Sequence, residues 1–200
     1  MNMIKLEPNS FYPEHGGFFS GTICIADALF GVITAPKAHG QYSGIWLPSY
    51  ADVPGATSCF DSKANTIAMA EAGSPIAQQA LATTIHGFSD WVIPARDVLE
   101  VQYRAHKPTT GPNYVYRSGD NPSSVPAGYP YTKVFPAQCP DPLFQEGGTE
   151  AFDAAWHWSS TQCSPNGAWG QTFDGGYQNY SNYKLNEGVV RLVRLIQLTA

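Results

Sequence analysis

The residues of this 200-residue chain that could do chemistry are few and widely spaced. No two of His15, His39, His86, His106 and His157 stand at i, i+4, the spacing that places two imidazoles on one helical face toward a metal. Cys24, Cys59, Cys139 and Cys163 form no CxxC pair, so four reduced, mostly buried thiols are expected rather than a disulfide framework or a metal centre. No Gly-x-Ser-x-Gly elbow is present to activate a serine. No cofactor, metal or catalytic residue is predicted.

The informative chemistry is that of contact. Between Tyr177 and Asn186, seven of ten residues are Tyr, Asn or Ser. Tyr offers a large, rigid amphipathic face at low entropic cost, while Asn and Ser offer adaptable hydrogen bonds. The segment 162–188 is therefore predicted to be a binding face. Its expected ligand-binding residues are Asn166, Trp169, Thr172, Asp174, Tyr177, Asn179, Tyr180, Asn182 and Tyr183. Trp169 and the tyrosines alternate with Asn and Gly rather than with apolar residues, so they are expected to be exposed anchors. Trp91, Trp156 and Trp158 are expected in the core, and His157 between two of them is expected to face away from its neighbours, toward ligand.

The elements that must carry this face follow from pattern. Two β-prone runs from Gly17 to Pro36 read as a hairpin turning at Ala26-Asp27, followed by a Gly- and Pro-punctuated loop from His39 to Ala56. Asp61 to Thr84 reads as two short helices broken at Gly73-Ser74-Pro75. Gly87 to His106 reads as a short strand, a Pro break and a three-turn helix. Eight of the sixteen prolines fall in 108–142, which is predicted to be a long ordered insertion loop packed by Tyr114, Tyr116, Tyr129, Tyr131 and Phe135. A short helix is expected over Phe144 to Ala155. Strands are expected at Trp156–Thr161, Ala168–Phe173 and Val189–Leu198, the last sharing a sheet with the hairpin.

Composition bounds the rest. With 43% hydrophobic residues, the 200 residues suffice for a single domain over 1–200. A net charge of -5 argues against nucleic acid. No 18-residue apolar run or apolar leader core appears, so synthesis in the cytoplasm without membrane insertion is expected.

The segments DWVIPARDVLE (90–100), WHWSSTQCSPNGAWGQTF (156–173) and RLVRLI (191–196) resemble the family described as DUF1566, or the Legionella collagen-like protein C-terminal domain. ITAPKAHG, CFDSKANTIAMAEAGSPIA and GDNPSSVPAGYPYT resemble its longer phage and prophage members, so the resemblance runs from Gly16 to Ile196. It implies an α+β, C-type-lectin-like fold with paired terminal strands and short helices. Several such proteins are variable proteins of diversity-generating retroelements, whose C-terminal patch binds a host receptor. Ala95, Val98 and Leu195 depart from the family's usual Ser/Thr, Glu and Arg, and Ala95 forgoes an N-cap of about 1 kcal/mol. Glu7-Pro8-Asn9 resembles a lectin calcium segment but precedes the first strand, and no Trp-Asn-Asp accompanies it, so no calcium site is expected. Formylglycine-generating enzymes, of related fold, use a C-terminal cysteine pair, whereas only Cys163 lies there.

The resemblance and the polar run together imply a non-enzymatic phage receptor-binding protein on the virion. Its expected partners are a host-cell surface protein or glycan, other virion proteins and further copies of itself as a homo-oligomer. The alternative expectation is a structural or decoration protein fixed to capsid or tail.

Overall fold

The structure, a computed structural model, describes residues 6–198. The fold is α+β, with two five-stranded sheets and three main helices. The chain opens with β1 (Phe11–Tyr12), β2 (Gly17–Ile25) and β3 (Ala28–Thr34). The expected β2–β3 hairpin is present, with Ile25 opposite Ala28. Both turn residues take positive φ, Ala26 at 48° and Asp27 at 63°, as the tight two-residue turn demands. The β2–β3 register shifts between Phe19 and Gly21, a bulge at Ser20. The Ser20 hydroxyl lies 2.6 Å from Thr34 Oγ1 and 2.7 Å from His106 Nε2 in the interior.

The segment expected as a loop after the hairpin is ordered further. It forms α1 (Lys37–Gly40), β4 (Gln41–Ile45) and a 3-10 turn at Pro54–Ala56, with Trp46 and Leu47 fully buried. Glycine punctuation hid β4, because Gly44 reads as a breaker but sits opposite Gly188 of a neighbouring strand. The two predicted helices are α2 (Ser62–Glu71) and α3 (Pro75–Ala82). Asp61 caps α2 by accepting from Ala64 N–H, Ser74 caps α3, and Gly73 turns between them at φ 91°. The predicted third helix is α4 (Arg96–His106).

The insertion contributes only β5 (Ser124–Val125). Phe144 to Ala155 is not helical. Turns closed by Gln145 N–H to Pro142 O and by Gly148 N–H to Gln145 O, with Gly147 at φ 86°, fold it instead. The last strands are β6 (Trp156–Gln162), β7 (Gly167–Thr172), β8 (Gln178–Tyr183), β9 (Glu187–Arg191) and β10 (Val193–Gln197).

The expected closing strand is therefore two strands in two sheets. β10 pairs with β3, Val193 opposite Thr34 through Gln197 opposite Phe30, so the hairpin and the chain's end do share a sheet. β9 pairs with β4 and β6 in the other, whose order is β4-β9-β6-β7-β8. The crossing falls at Leu192, whose N–H bonds Gly40 O and whose carbonyl accepts from Ala35 N–H, both at 2.9 Å. A single apolar run can serve two sheets because one bent residue re-aims the backbone.

Arg191 and Arg194 brace this crossing. Arg191 is fully buried, donating to Ala35 O, Gln41 Oε1 and Glu150 Oε2. Arg194 forks onto Asp90 and lies 3.8 Å over the Phe88 ring. The core beneath the second sheet holds Trp46, Met69, Trp91 and Trp158 with α2 and α3, while α4 packs against both sheets through Val98, Leu99 and Tyr103.

Candidate recognition face

The predicted face lies on the β7–β8 hairpin, and β8 is an edge of its sheet. The polar run, left unassigned to any element from sequence, is mostly this strand. Gly170 pairs with Asn179 and Ala168 with Asn182, with a register shift between. Successive strand side chains point to opposite faces, so the nine expected residues cannot all share one surface.

They form separate groups. Trp169 and Tyr180 meet at 5.7 Å between ring centroids, with Arg96 of α4 placed 5.2 Å over Trp169. Trp169 is thereby half-buried, a correction to its expected exposure. Tyr177 sits between Tyr114 of the insertion, at 4.2 Å, and Trp156, at 5.6 Å, and is likewise half-buried rather than exposed. Trp156 is half-buried rather than core. Asn179 Nδ2 donates to Asn182 Oδ1 at 3.4 Å, and Asn182 Nδ2 is buried without a partner. A Cβ at Gly170 would come within 2.6 Å of that nitrogen, so glycine there leaves room for the Asn182 side chain. Tyr183 pairs with Tyr50 at 6.3 Å.

The remaining three residues shape backbone. Thr172 Oγ1 accepts from Tyr177 N–H, Asp174 accepts from Gly175 N–H and, through its carbonyl, from Thr109 Oγ1, and exposed Asn166 receives Lys184 N–H on its carbonyl.

Two devices hold β8 in place. Lys184, inside the polar run, is fully buried, donating to Ala51 O at 2.8 Å and Gln162 Oε1 at 2.6 Å beside the Trp46 ring. Burial pulls its amine down to about 8, opposed by nearby Asp52. The outer edge is also occupied. Gln178 N–H reaches Ser118 Oγ, Gly119 N–H donates to Gln178 Oε1, and Ser181 N–H bonds Asn179 Oδ1. An edge strand so capped resists pairing with another strand and presents side chains instead.

Sequence reading missed Tyr50, Arg96, Tyr114 and Trp156 as neighbours of this hairpin, since each lies outside it in sequence. A signal did exist in the insertion's tyrosines, but they were expected to pack inward. Only Tyr131 does, while Tyr114, Tyr116, Tyr129 and Phe135 are exposed. Tyr131 donates to Glu100 Oε1 at 2.8 Å, and Asn121 and Arg104 hold the same carboxylate, clasping the insertion to α4. Tyr103 OH donates to Asn113 Oδ1 at 2.7 Å from the same helix.

His157 does not approach the face. It is buried among Phe152 and Phe173, its Nδ1–H donating to Ala155 O, and burial lowers its pKa to about 4. His106, stacked on Phe144, is held lower still, at about 3, by burial and by Arg191. Its contact with Ser20 lies in a closed network with Thr34 and Gln102 and lines neither cavity described below. The four thiols are free, yet only Cys139 is buried, because Cys163 lies just after β6 in the exposed turn into β7 and Cys24 and Cys59 are half-exposed.

Among the described residues no cluster of three or more His, Cys, Asp or Glu is placed to hold a metal, and no helix is long and apolar enough to cross a membrane. One cavity of about 300 Å3 lies beside Trp156 and is lined by Ser43, Glu187 and Val189. A second, of about 470 Å3, lies at the insertion. No protein-family model matches this chain, and no curated protein matches it significantly.

Proposed function

We propose that the chain is a non-enzymatic recognition module, a phage receptor-binding protein of C-type-lectin-like fold whose β7–β8 hairpin and adjoining insertion contact a host-cell protein or glycan. The observation that carries this reading is Tyr180 and Tyr183, each 57% exposed on an edge strand whose backbone is pinned by Lys184 and Ser118. Exposed aromatics on a held backbone give contact area at little ordering cost. Tyr50 adds a further ring beside Tyr183, while Tyr114 and Tyr177 form a separate aromatic pair. Single sites of this kind bind weakly, and several copies on a virion would act through avidity. Binding of purified, fluorescently labelled chain to host cells, and its competition with phage adsorption, tests the reading. Saturable binding that blocks adsorption supports it, and absence of binding to every permissive host contradicts it.

A second reading, a decoration protein fixed to capsid or tail, draws on a different surface. Val134 and Phe135 at the insertion tip are 67% and 54% exposed. Exposed apolar side chains of this kind would suit a neighbouring virion subunit.

A further inference from the structure

A site formed without the β8 tyrosines occupies the junction of α4 and the insertion. The cavity of about 470 Å3 is lined by Lys107, Thr110, Gly111, Lys133, Val134 and Gln138, with no Asp or Glu in its wall. Lys107 follows the last residue of α4 and is 2% exposed. Its Nζ donates to Gly111 O at 2.6 Å and, at the outer limit of a hydrogen bond, to Pro136 O at 3.4 Å. Both acceptors are neutral carbonyls. A buried ammonium has three protons to place and is costly without an opposite charge. Within a chain of net charge -5, two lysines line a pocket free of carboxylates. The volume falls within the range of small-ligand pockets, and Pro112, Val134 and Ala137 give it apolar walls.

We infer that this cavity binds a small organic oxyanion of monosaccharide size, its carboxylate or phosphate received by Lys107 and Lys133 and its ring resting on Val134 and Ala137. Lysine is a compact point charge and receives either oxyanion. Burial already pulls the Lys107 amine below its ordinary value, and a bound anion would raise it again.

Calorimetric titration of the full chain at low ionic strength with glucuronate, glucose 6-phosphate and glucose tests the inference. Binding of at least one of the two anions, with none by glucose, is expected. Glucuronate alone assigns a carboxylate, glucose 6-phosphate alone a phosphate ester, and both the shared charge. Lys107→Met and Lys133→Ala should each weaken the bound anion by tenfold or more. Lys133 is exposed, so its variant remains informative should Lys107→Met fail to fold. Absence of binding by both anions, equal binding of glucose, or undiminished binding by Lys133→Ala would overturn the inference.

Discussion

Thr161 Oγ1 accepts a hydrogen bond from Arg96 N–H at 2.9 Å, so a β6 hydroxyl sixty-five residues away caps the first turn of α4. Ala95 at the N-cap position supplies no side-chain bond. Cys59 O receives the next amide, from Asp97, at 2.8 Å. The cap that Ala95 forgoes is thus provided through tertiary contact, and the helix start depends on β6 being in place. The same hydroxyl donates to Ser58 O at 2.8 Å. Thr161→Val should lower unfolding free energy by about 1 to 3 kcal/mol, the cost of stranding buried polar groups. Thr161→Ser should retain most of it, as read from denaturant melts.

Tyr131 anchors the insertion, and its loss should be felt there first. Its hydroxyl serves Glu100 and also accepts from Gln171 Nε2 at 3.0 Å. Burial raises the Glu100 carboxyl against the pull of Arg104, so each remaining donor matters. Tyr131→Phe is expected to cost about 1.5 to 3 kcal/mol, as for a hydrogen bond to a charged group. Limited proteolysis should then cut within 108–142 at a protease dose the native chain resists.

Ala26 carries the β2–β3 turn at φ 48°, a conformation that disfavours a Cβ. Ala26→Gly should stabilise the chain by about 0.5 to 1 kcal/mol, because glycine enters that region without clash. A thermal melt in which the variant is less stable would place the turn in another conformation.

His157 and His106 make the fold acid-sensitive. Their folded pKa values, about 4 and about 3, lie below the ordinary imidazole value near 6.5. As pH falls through 6.5 the unfolded chain binds protons that the folded chain refuses, so stability is complete above that point and is lost progressively toward about pH 4 for His157 and about pH 3 for His106. His157→Phe, which keeps an aromatic ring between Phe152 and Phe173, should show a flatter fall in melting temperature over this window. An unchanged slope would show that His157 does not contribute to it.

Much of the scaffold was legible because its signals are local. Asp61, Ser74 and Pro75 mark helix starts through chemistry confined to one turn, and the β2–β3 runs are both strongly β-prone. The division of Val189–Leu198 between two sheets was not legible, since nothing within that run marks Leu192 as a bend. It is made by amide and carbonyl partners at Gly40 and Ala35. On the candidate face the residue types were readable but their sides were not. Both faces of β8 are polar, so the alternation that separates Asn179 from Tyr180 leaves no hydrophobic trace. Lys184 was invisible as an anchor for a similar reason, because a lysine among Tyr and Asn reads as solvated until Gln162 and Ala51 close over it.

The central claim, that the β8 tyrosines recognise rather than support, is tested most directly by Tyr180→Ala combined with Tyr183→Ala, followed by a denaturant melt and a cell-adsorption assay. Half-exposed rings at Trp169 and Tyr50 are their ring neighbours. Each truncation should therefore change stability by no more than about 0.5 kcal/mol. Attachment to host cells should weaken by more than about 1 kcal/mol, the level of an interface anchor. A loss of about 3 to 5 kcal/mol of stability per ring would contradict the account by making them core residues. Unchanged stability and adsorption with loss of virion incorporation would contradict it equally, in favour of a decoration protein.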